Sequence, residues 1–309
     1  MGSAPGQPPP ADLVAAIAEQ ALEPVPQAVT ELVAALLADL PGTVASVLYY
    51  GSTLRTGQLK DQMLDFYILA DDYGSFHDSR LSAWGNQLVP PNVYYWEGQA
   101  GGQSLRCKYA TLSLNHFDHL TSDRALNCSI WARFSQPTRI VWARDAAASE
   151  RAERALAQAV LTMLGQSRGL LAVDLATPAQ DWWVRALQAT FATELRAEKT
   201  GRAQELVSSN AERYERVTAL ALPWLEAQAA PNPKATRFRW LLRRIEGKIT
   251  HVLRLLKAAG TFTSGIDYLA WKIHRHSGQT IETKPWHRAH PRIAGLWLLI
   301  LLRWRGAFR

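Results

Sequence analysis

Two short stretches in the first third of the chain hold residue types that are suited to phosphate chemistry. The apolar segment Leu48-Tyr49-Tyr50 ends in Gly51-Ser52, and a second apolar segment, a dozen residues later, carries the acid Asp65. Glycine lets a backbone come close to a polyphosphate, and the N–H groups of its turn and a serine hydroxyl can donate to phosphate oxygens. A carboxylate on the neighbouring strand can hold Mg²⁺, which neutralises a triphosphate. The pattern therefore predicts a nucleotide-phosphate site.

Asp65 is the stronger part of this pattern. It stands in the apolar run 63–69, where a carboxylate is costly to bury unless it is paired or bound to a metal; a solvated strand end is the alternative. The position two residues on, which shares its strand face, is Tyr67 rather than a second acid. The next acids are Asp71 and Asp72. We predict Asp72 as the second Mg²⁺ ligand, and the alternative is that both acids begin a turn.

The elements that must position these residues change in type near residue 145. Buried and alternating apolar runs predict strands over 44–50, 63–70, 92–96, 105–112 and 138–143. Helical periodicity predicts helices over 13–22, 29–40, 75–88, 115–134, 146–164, 181–198, 210–228, 237–259 and 265–276. We therefore expect an α+β protein. An apolar strand that ends in Gly51-Ser52, followed by a second strand that carries Asp65, resembles the layout of the polymerase β-like nucleotidyltransferase fold. We therefore expect such a domain, with a mixed sheet and N-terminal helices, over 1–145, an all-helical domain over 146–290 and a C-terminal helix over 291–309.

Charge is distributed unevenly between the two ends of the chain. The net charge is +7 over 309 residues, but residues 234–309 alone hold 16 Lys and Arg against three acids. Such a basic segment favours an anionic partner, which is phospholipid or nucleic acid, over a generic solvated surface. The apolar run 293–302 is too short to cross a bilayer as a helix. With its flanking charges it predicts a helix inserted into one leaflet, and packing on the core of the protein is the alternative. The residues predicted to contact the membrane are Trp297, Leu298, Leu301, Arg303, Trp304 and Arg305.

Several further motifs follow in a fixed order along residues 49–142. They are Tyr50-Gly51-Ser52, Asp65-Phe66, Asp71-Asp72 with His77, Asn92-Val93-Tyr94-Tyr95, Lys108-Tyr109, and Ile130-Trp131-Ala132-Arg133-Phe134-Ser135-Gln136-Pro137. In this order and spacing, the chain resembles the mitochondrial and bacterial (Tam41-type) phosphatidate cytidylyltransferases of the nucleotidyltransferase superfamily. That family also has an apolar residue where the superfamily often has a second acid, so Tyr67 agrees with it. Ala132 and Gln136 depart from the glycine and the lysine of the family pattern.

The resemblance implies an Mg²⁺-dependent enzyme that transfers a cytidylyl group from CTP to phosphatidic acid, giving CDP-diacylglycerol and pyrophosphate. Asp65 and Lys108 are the expected catalytic residues, with Mg²⁺ on Asp65 and Asp72. The expected nucleotide-binding residues are Gly51, Ser52, Tyr94, Tyr95, Lys108 and Arg133. From the residues alone, the alternatives are that Lys108 is a solvated strand lysine, that Arg133 is a helix-end charge, and that at least one of the tyrosines is a core residue.

Two rival interpretations stay open at the level of sequence. One is a nucleotidyltransferase with another acceptor, such as RNA, a sugar phosphate or a protein, although no recognisable RNA-binding motif occurs and no nucleic-acid partner is expected. The other is a non-catalytic membrane adaptor on this fold. No Lys or Arg precedes Arg55, so we expect neither a secretory signal nor an Arg-rich presequence. The expected location is peripheral, on the cytoplasmic face of a bacterial inner membrane with an anionic surface.

Overall fold

A computed structural model describes residues 7–40, 43–171, 173, 175–194, 201–261 and 286. The predicted helix over 265–276 and the predicted membrane helix over 291–309, with Trp297, Leu298, Leu301, Arg303, Trp304 and Arg305, lie outside the described residues. Among the residues that are described, no helix combines the length and the apolar character needed to cross a membrane.

The fold is α+β and is built on one mixed sheet of five strands. The strands are β1 (Val44–Tyr50), β2 (Met63–Ala70), β3 (Asn92–Ala100), β4 (Gln103–Ser113) and β5 (Thr138–Ala143), in the sheet order β3-β4-β2-β1-β5. The β2–β4 pair is parallel, and the other three pairs are antiparallel. All five predicted strands are present in the structure. β3 and β4 are longer than predicted because they extend together into a hairpin that turns at Gly101-Gly102.

Helices precede, interrupt and follow the sheet. Those of the described chain are Ala11–Ala21 (α1), Gln27–Ala38 (α2), Ser52–Thr56 (α3), Tyr73–Phe76 (α4), Arg80–Leu88 (α5), Leu114–Thr121 (α6), Ser129–Phe134 (α7), Ala146–Leu171 (α8), Ala179–Phe191 (α9), Arg202–Ser208 (α10), Ala211–Ala227 (α11) and Pro233–Thr261 (α12). The sequence analysis did not predict α3 or α10, which are short and polar. After β5 the described residues contain helices and connections without a strand.

The predicted continuous helix over 115–134 is wrong. The chain forms α6 and α7 with a bend between them, because side chains hold the intervening backbone in a non-helical path. The hydroxyl of Ser122 accepts from the N–H of Arg124 at 3.3 Å, and Asn127 Oδ1 accepts from the N–H of Ser129 at 2.9 Å. Asn127 also donates to both carboxylate oxygens of Glu246 on α12, so the bend is tied to the helical half.

The two faces of the sheet belong to two hydrophobic clusters. One face contacts α2 and holds Tyr49 and Phe66, whose ring centroids lie 5.3 Å apart. The other face holds Leu48 and Tyr67 and continues without interruption into buried residues of α7, α8, α9 and α11. The domain boundary near residue 145 stays a prediction, and across it the two halves share one hydrophobic core.

The helical half is held together by buried tryptophans that satisfy their own polar atoms. Trp183 donates to the hydroxyl of Thr218 at 2.8 Å, and Trp240 donates to the carbonyl of Gln166 at 2.9 Å. Large rings add apolar burial, and the indole N–H groups avoid the cost of an unmade hydrogen bond. These contacts fix α9, α11 and α12 around the long helix α8, which in turn packs beside the sheet.

A buried asparagine joins α5 to the far end of the sheet, and its removal should destabilise the fold. Asn86 donates to the hydroxyl of Thr111 at 2.8 Å, and its Oδ1 accepts from the N–H of Asn92 at 2.6 Å. Asn86→Ala should lower the free energy of unfolding by about 2 to 3 kcal/mol, because it leaves buried partners unsatisfied. Urea denaturation measures the change. Gln87→Ala, at the exposed neighbouring position, should stay within about 0.5 kcal/mol of the parent, and an equal loss in both variants would contradict this role.

Candidate active site

A row of polar side chains crosses the sheet at the end where β1 finishes and β2 begins. The register pairs Tyr95 with Lys108, Lys108 with Asp65, Asp65 with Tyr50, and Tyr50 with Thr138. Directly paired residues of neighbouring strands place their side chains on the same face of a sheet. Residues that are far apart in sequence are therefore aligned beside Gly51 and Ser52, which follow β1 directly.

Gly51 is required by both its backbone conformation and its contact with Asp65. Its φ is +92°, which L side chains rarely adopt. A Cβ atom at this position would lie 2.7 Å from Asp65 Oδ2, which is closer than real Cβ atoms approach. The turn after β1 and the carboxylate on β2 therefore share one small space. The residue type at position 51 decides whether Asp65 can keep its position.

Lys108 lies beside Asp65 and compensates its charge. Its Nζ is 2.9 Å from Asp65 Oδ1, and the side chains are 43% and 15% exposed, respectively. Asp65 is thus mostly covered while Lys108 reaches solvent. A flexible ammonium group in this position can contact a phosphate and the carboxylate together, as a compact point charge. The structure places the two predicted catalytic residues in contact.

Arg133 projects from α7 to the strand position that follows Asp65 on the same face. Its Nη1 donates to the Tyr67 hydroxyl at 2.8 Å, and its guanidinium carbon lies 5.4 Å from the ring centroid of Tyr50. Burial alone lowers the pKa of Arg133, but Tyr67, Tyr50 and nearby carboxylates more than offset this, so that pKa is raised and the side chain stays charged. A half-buried cation therefore contacts the side chain that shares the strand face of Asp65.

These residues line one cleft, whose other wall comes from the helical half. The cleft has a volume of about 520 Å³. Residues of the sheet end and α7 that line it are Tyr50, Gly51, Ser52, Asp65, Lys108 and Arg133. Residues that follow β5 in the chain and line it include Thr190, Phe191, Glu194, Arg202, Ser209, Asn210 and Tyr214. The cleft is lined by four arginines and one lysine against two acids, Asp65 and Glu194, so it favours an anionic ligand.

Asp72 is not part of this cleft, and the predicted Mg²⁺ pair of Asp65 and Asp72 is corrected by the structure. Asp65 lies near the start of β2 and Asp72 lies beyond its end, so the two are separated by roughly 20 Å along the strand. Asp72 caps α4, where it accepts from the N–H of Ser75 at 2.8 Å, and Asp71 pairs with Arg144 at 2.6 Å. The alternative, that both acids begin a turn, agrees with this placement.

The two predicted tyrosines lie on opposite faces of the sheet. Tyr95 shares the face of Lys108, is 41% exposed and donates to Glu97 at 2.8 Å. Tyr94 points to the other face, where its ring stacks on Tyr109 at 5.2 Å. Neither lines the cleft. Adjacent residues of a strand alternate in direction, so at most one of the pair could have joined this site.

Three arginines that line the cleft were not predicted from the sequence, namely Arg55, Arg139 and Arg202. They come from α3, β5 and α10, and no motif or spacing links them in the sequence. Only the low number of basic residues before residue 60 made Arg55 unusual. Their convergence depends on the packing of α10 beside the sheet end, which local patterns do not specify.

The described residues of the cleft offer a single strand-borne carboxylate to a metal ion rather than a closed set of protein ligands. Among the described residues, no group of three or more His, Cys, Asp or Glu side chains gathers as a metal site. Mg²⁺ usually keeps several waters and uses one or two carboxylates together with substrate phosphates. Asp65 can supply such a carboxylate, since its Oδ2 faces the space that a Cβ at Gly51 would fill.

Comparison with known proteins adds no family to these observations. No protein-family model matches the chain, and no curated protein matches it.

Substitution of Gly51 should displace Asp65 and destabilise the turn, whereas the same change at Gly57 should have only the backbone cost. Gly57 also has a positive φ, +68°, but a Cβ there meets nothing within 4 Å. Gly57→Ala should therefore lower the free energy of unfolding by about 1 to 2 kcal/mol, and Gly51→Ala should lower it by at least about 1 kcal/mol more. Urea denaturation of both variants measures the difference. Equal losses would show that Asp65 does not crowd the turn.

Proposed function

We propose that this protein is a nucleotidyltransferase that transfers a cytidylyl group from CTP to phosphatidic acid and releases pyrophosphate. The observation that carries the proposal is the contact of a strand-borne carboxylate, Asp65, with the Gly51-Ser52 turn and with Lys108, at the mouth of a cationic cleft. The nucleotide base and the lipid acceptor come from the family resemblance. The reaction is a displacement at phosphorus, for which positioning and charge neutralisation supply most of the rate enhancement.

Each residue of the site would have a definite task in this reaction. The Gly51-Ser52 turn contacts phosphate oxygens, and Lys108 offsets the negative charge of the triphosphate. Mg²⁺ bound with the nucleotide would neutralise further phosphate charge, with Asp65 as its protein ligand. An oxygen of the acceptor phosphate forms the new bond to the α-phosphorus as the bond to pyrophosphate breaks. That oxygen is already anionic near neutral pH, so the site has no need of a strong general base.

The exposed face of α12 supports an acceptor that is embedded in a lipid surface. Large apolar side chains recur on this face at helical spacing; they are Phe238, Leu241, Leu242, Ile245, Ile249 and Leu253. Exposed Arg237, Arg244 and Lys248 lie among them. An apolar stripe with flanking cations is the pattern of a helix that binds an anionic membrane in its plane. We therefore include peripheral binding to the cytoplasmic face of a bacterial membrane in the proposal.

The catalytic part of the proposal is tested by nucleotide turnover. Purified protein with Mg²⁺ and micellar phosphatidic acid should release pyrophosphate and form CDP-diacylglycerol with CTP, and not with ATP, GTP or UTP. Asp65→Asn and Lys108→Gln should each lower turnover by at least about 100-fold, because each removes several kcal/mol of charge stabilisation in the transition state. Chelation of the metal with EDTA should have the same effect.

The matched control for Lys108 is Arg106, on the same strand. Arg106 is exposed and does not line the cleft. Arg106→Gln should leave turnover within a factor of about three, because an exposed charge is well screened. Turnover with another nucleotide would keep the reaction class and change the substrate. Folded protein that turns over none of the four nucleotides would favour the non-catalytic adaptor.

The lipid acceptor is tested separately by flotation with vesicles. The protein should float with vesicles that contain phosphatidic acid and stay behind with neutral phosphatidylcholine vesicles, because apolar insertion is assisted by anionic lipid. Replacing Ile245 and Ile249 together by Asp should strongly weaken flotation, while Glu212→Gln, at an exposed position of α11, should not. Failure to float, together with binding to RNA in a shift assay, would favour the RNA acceptor.

A further inference from the structure

Three arginines from three separate elements line one part of the cleft, and a fourth lies next to it. Arg55 of α3, Arg139 of β5 and Arg202 of α10 line the cleft. Arg213 of α11 has its guanidinium carbon 5.2 Å from the ring centroid of Tyr214, which also lines the cleft, and it lies close enough to Arg139 to be repelled by its charge. We call these four residues the arginine cluster. None of them belongs to the Gly51-Ser52 turn or to the Asp65–Lys108 pair. The cluster therefore needs an explanation of its own.

The arginine cluster is only half neutralised by the acids that contact it. Arg55 and Arg202 both contact the same carboxylate oxygen, Glu205 Oε1, at 3.2 and 3.1 Å. Arg139 pairs with Glu23. Among the residues that the structure describes, four positive charges thus meet two negative ones, which leaves an excess of two. The two acids are also the exposed members of these pairs, with side chains 58% and 50% accessible.

Several donors of the cluster are buried without a hydrogen-bond partner. Within the described part of the chain, Arg139 Nη1, Arg213 Nη1 and the hydroxyl of Tyr214 make no hydrogen bond. Burial and the neighbouring Arg202 lower the pKa of Arg55. Burial, with a contribution from Arg139, lowers the pKa of Arg213. Crowded, desolvated cations with unused donors are costly to the folded protein unless an anion binds among them.

We propose that the arginine cluster is a second phosphate subsite, which binds a dianionic phosphate group. This inference rests on the proposed function and adds a place for the second phosphate group of the reaction. Guanidinium groups bind phosphate oxygens in pairs, and the two-charge excess matches one dianion. The phosphate belongs either to the phosphomonoester of the acceptor or to the end of the nucleotide triphosphate. Glu205 Oε1, which contacts two of the arginines, stands in the cluster as an internal competitor for that phosphate.

Calorimetric titration of the full-length chain tests the subsite without any turnover. The probes are glycerol 3-phosphate, CTP and CMP, in the absence of Mg²⁺. Arg202→Gln should weaken the binding of a phosphate-bearing probe by about 10-fold or more, because a charge-assisted hydrogen bond is lost. Glu205→Gln should tighten the same binding several-fold, because it removes the competing anion. A purely structural role for the cluster gives no reason for changes of opposite sign.

The control for this test is Arg216→Gln. Arg216 lies one turn after Arg213 on α11, but it pairs with Glu19 on the surface at 2.6 Å and does not line the cleft. The Arg216→Gln variant should bind all three probes as tightly as the parent chain does. Weaker binding of glycerol 3-phosphate to Arg202→Gln than to the parent chain identifies the acceptor as the source of the phosphate. A change for CTP that is absent for CMP identifies the nucleotide. Urea denaturation confirms that each variant is folded.

The subsite and the proposed function can fail independently in these experiments. A chain that binds the probes with the expected changes but never turns over CTP would keep the subsite and lose the enzyme. If folded Arg202→Gln and Glu205→Gln both bind every probe as tightly as the parent chain, the subsite is overturned, whatever the turnover. Weakening in both variants together would equally overturn it, since Glu205 would then support the site rather than compete for it.

Discussion

The contact between the turn after β1 and the carboxylate on β2 is the constraint on which the candidate site depends. Antiparallel pairing places Tyr50 opposite Asp65, so the next residue of β1 must turn away directly beside the acid. Only a residue without Cβ fits there, and the parallel pairing of β2 with β4 then sets Lys108 against the same carboxylate. Three strands are needed to build this one cluster, and a shift of register in any of them would dissolve it.

The helical half completes what the sheet begins. It supplies one wall of the cleft, and it shares a continuous core with the face of the sheet that carries Asp65 and Tyr67. Asn127 shows how closely the halves are joined, since it donates from the bend before α7 to both carboxylate oxygens of Glu246 on α12. The site is therefore a property of the whole fold and not of the sheet alone.

Local patterns predicted the strands well, and helix ends less well. β1, β2 and β5 are short apolar runs bounded by glycine, proline or charged residues, and such runs have few other possible structures. The helices α6 and α7 were predicted as one because their periodicity continues through residues 122–128. The break there is made by hydrogen bonds of Ser122 and Asn127. Asn127 also donates a hydrogen bond to the carboxylate of Glu246 on α12. A contact between residues so far apart in the sequence does not change the local hydrophobic periodicity, so the sequence pattern does not reveal it.

The same difference separates the site residues that the sequence predicted from those it did not. The predicted residues are polar residues or glycine within apolar strands or at their ends, so the local sequence is enough to identify them. They are Gly51, Ser52, Asp65 and Lys108. Asp72 was assigned as one of the next acids after Asp65, and Tyr94 was assigned from the family resemblance, but strand length and strand alternation place both outside the cleft. The arginine cluster was not predicted at all, because its members meet only after α10 has packed on α9 and α11 and has come beside α3.

The order of strands also determines when this protein can fold during synthesis. β1, near the centre of the sheet, has β5 as one of its two neighbours, and the chain between them holds β2, β3 and β4. Strand pairs that are so far apart in sequence form slowly, because the entropy of closing a long loop is lost before the stabilising contacts form. The sheet cannot be completed until β5 has left the ribosome, and its second face stays uncovered until α8 follows. Because the ribosome adds about 5 to 20 residues per second, the apolar strands stay without their final partners for several seconds. The apolar strands of the sheet, which favour aggregation, are therefore exposed during synthesis, and a chaperone would be most useful in that interval.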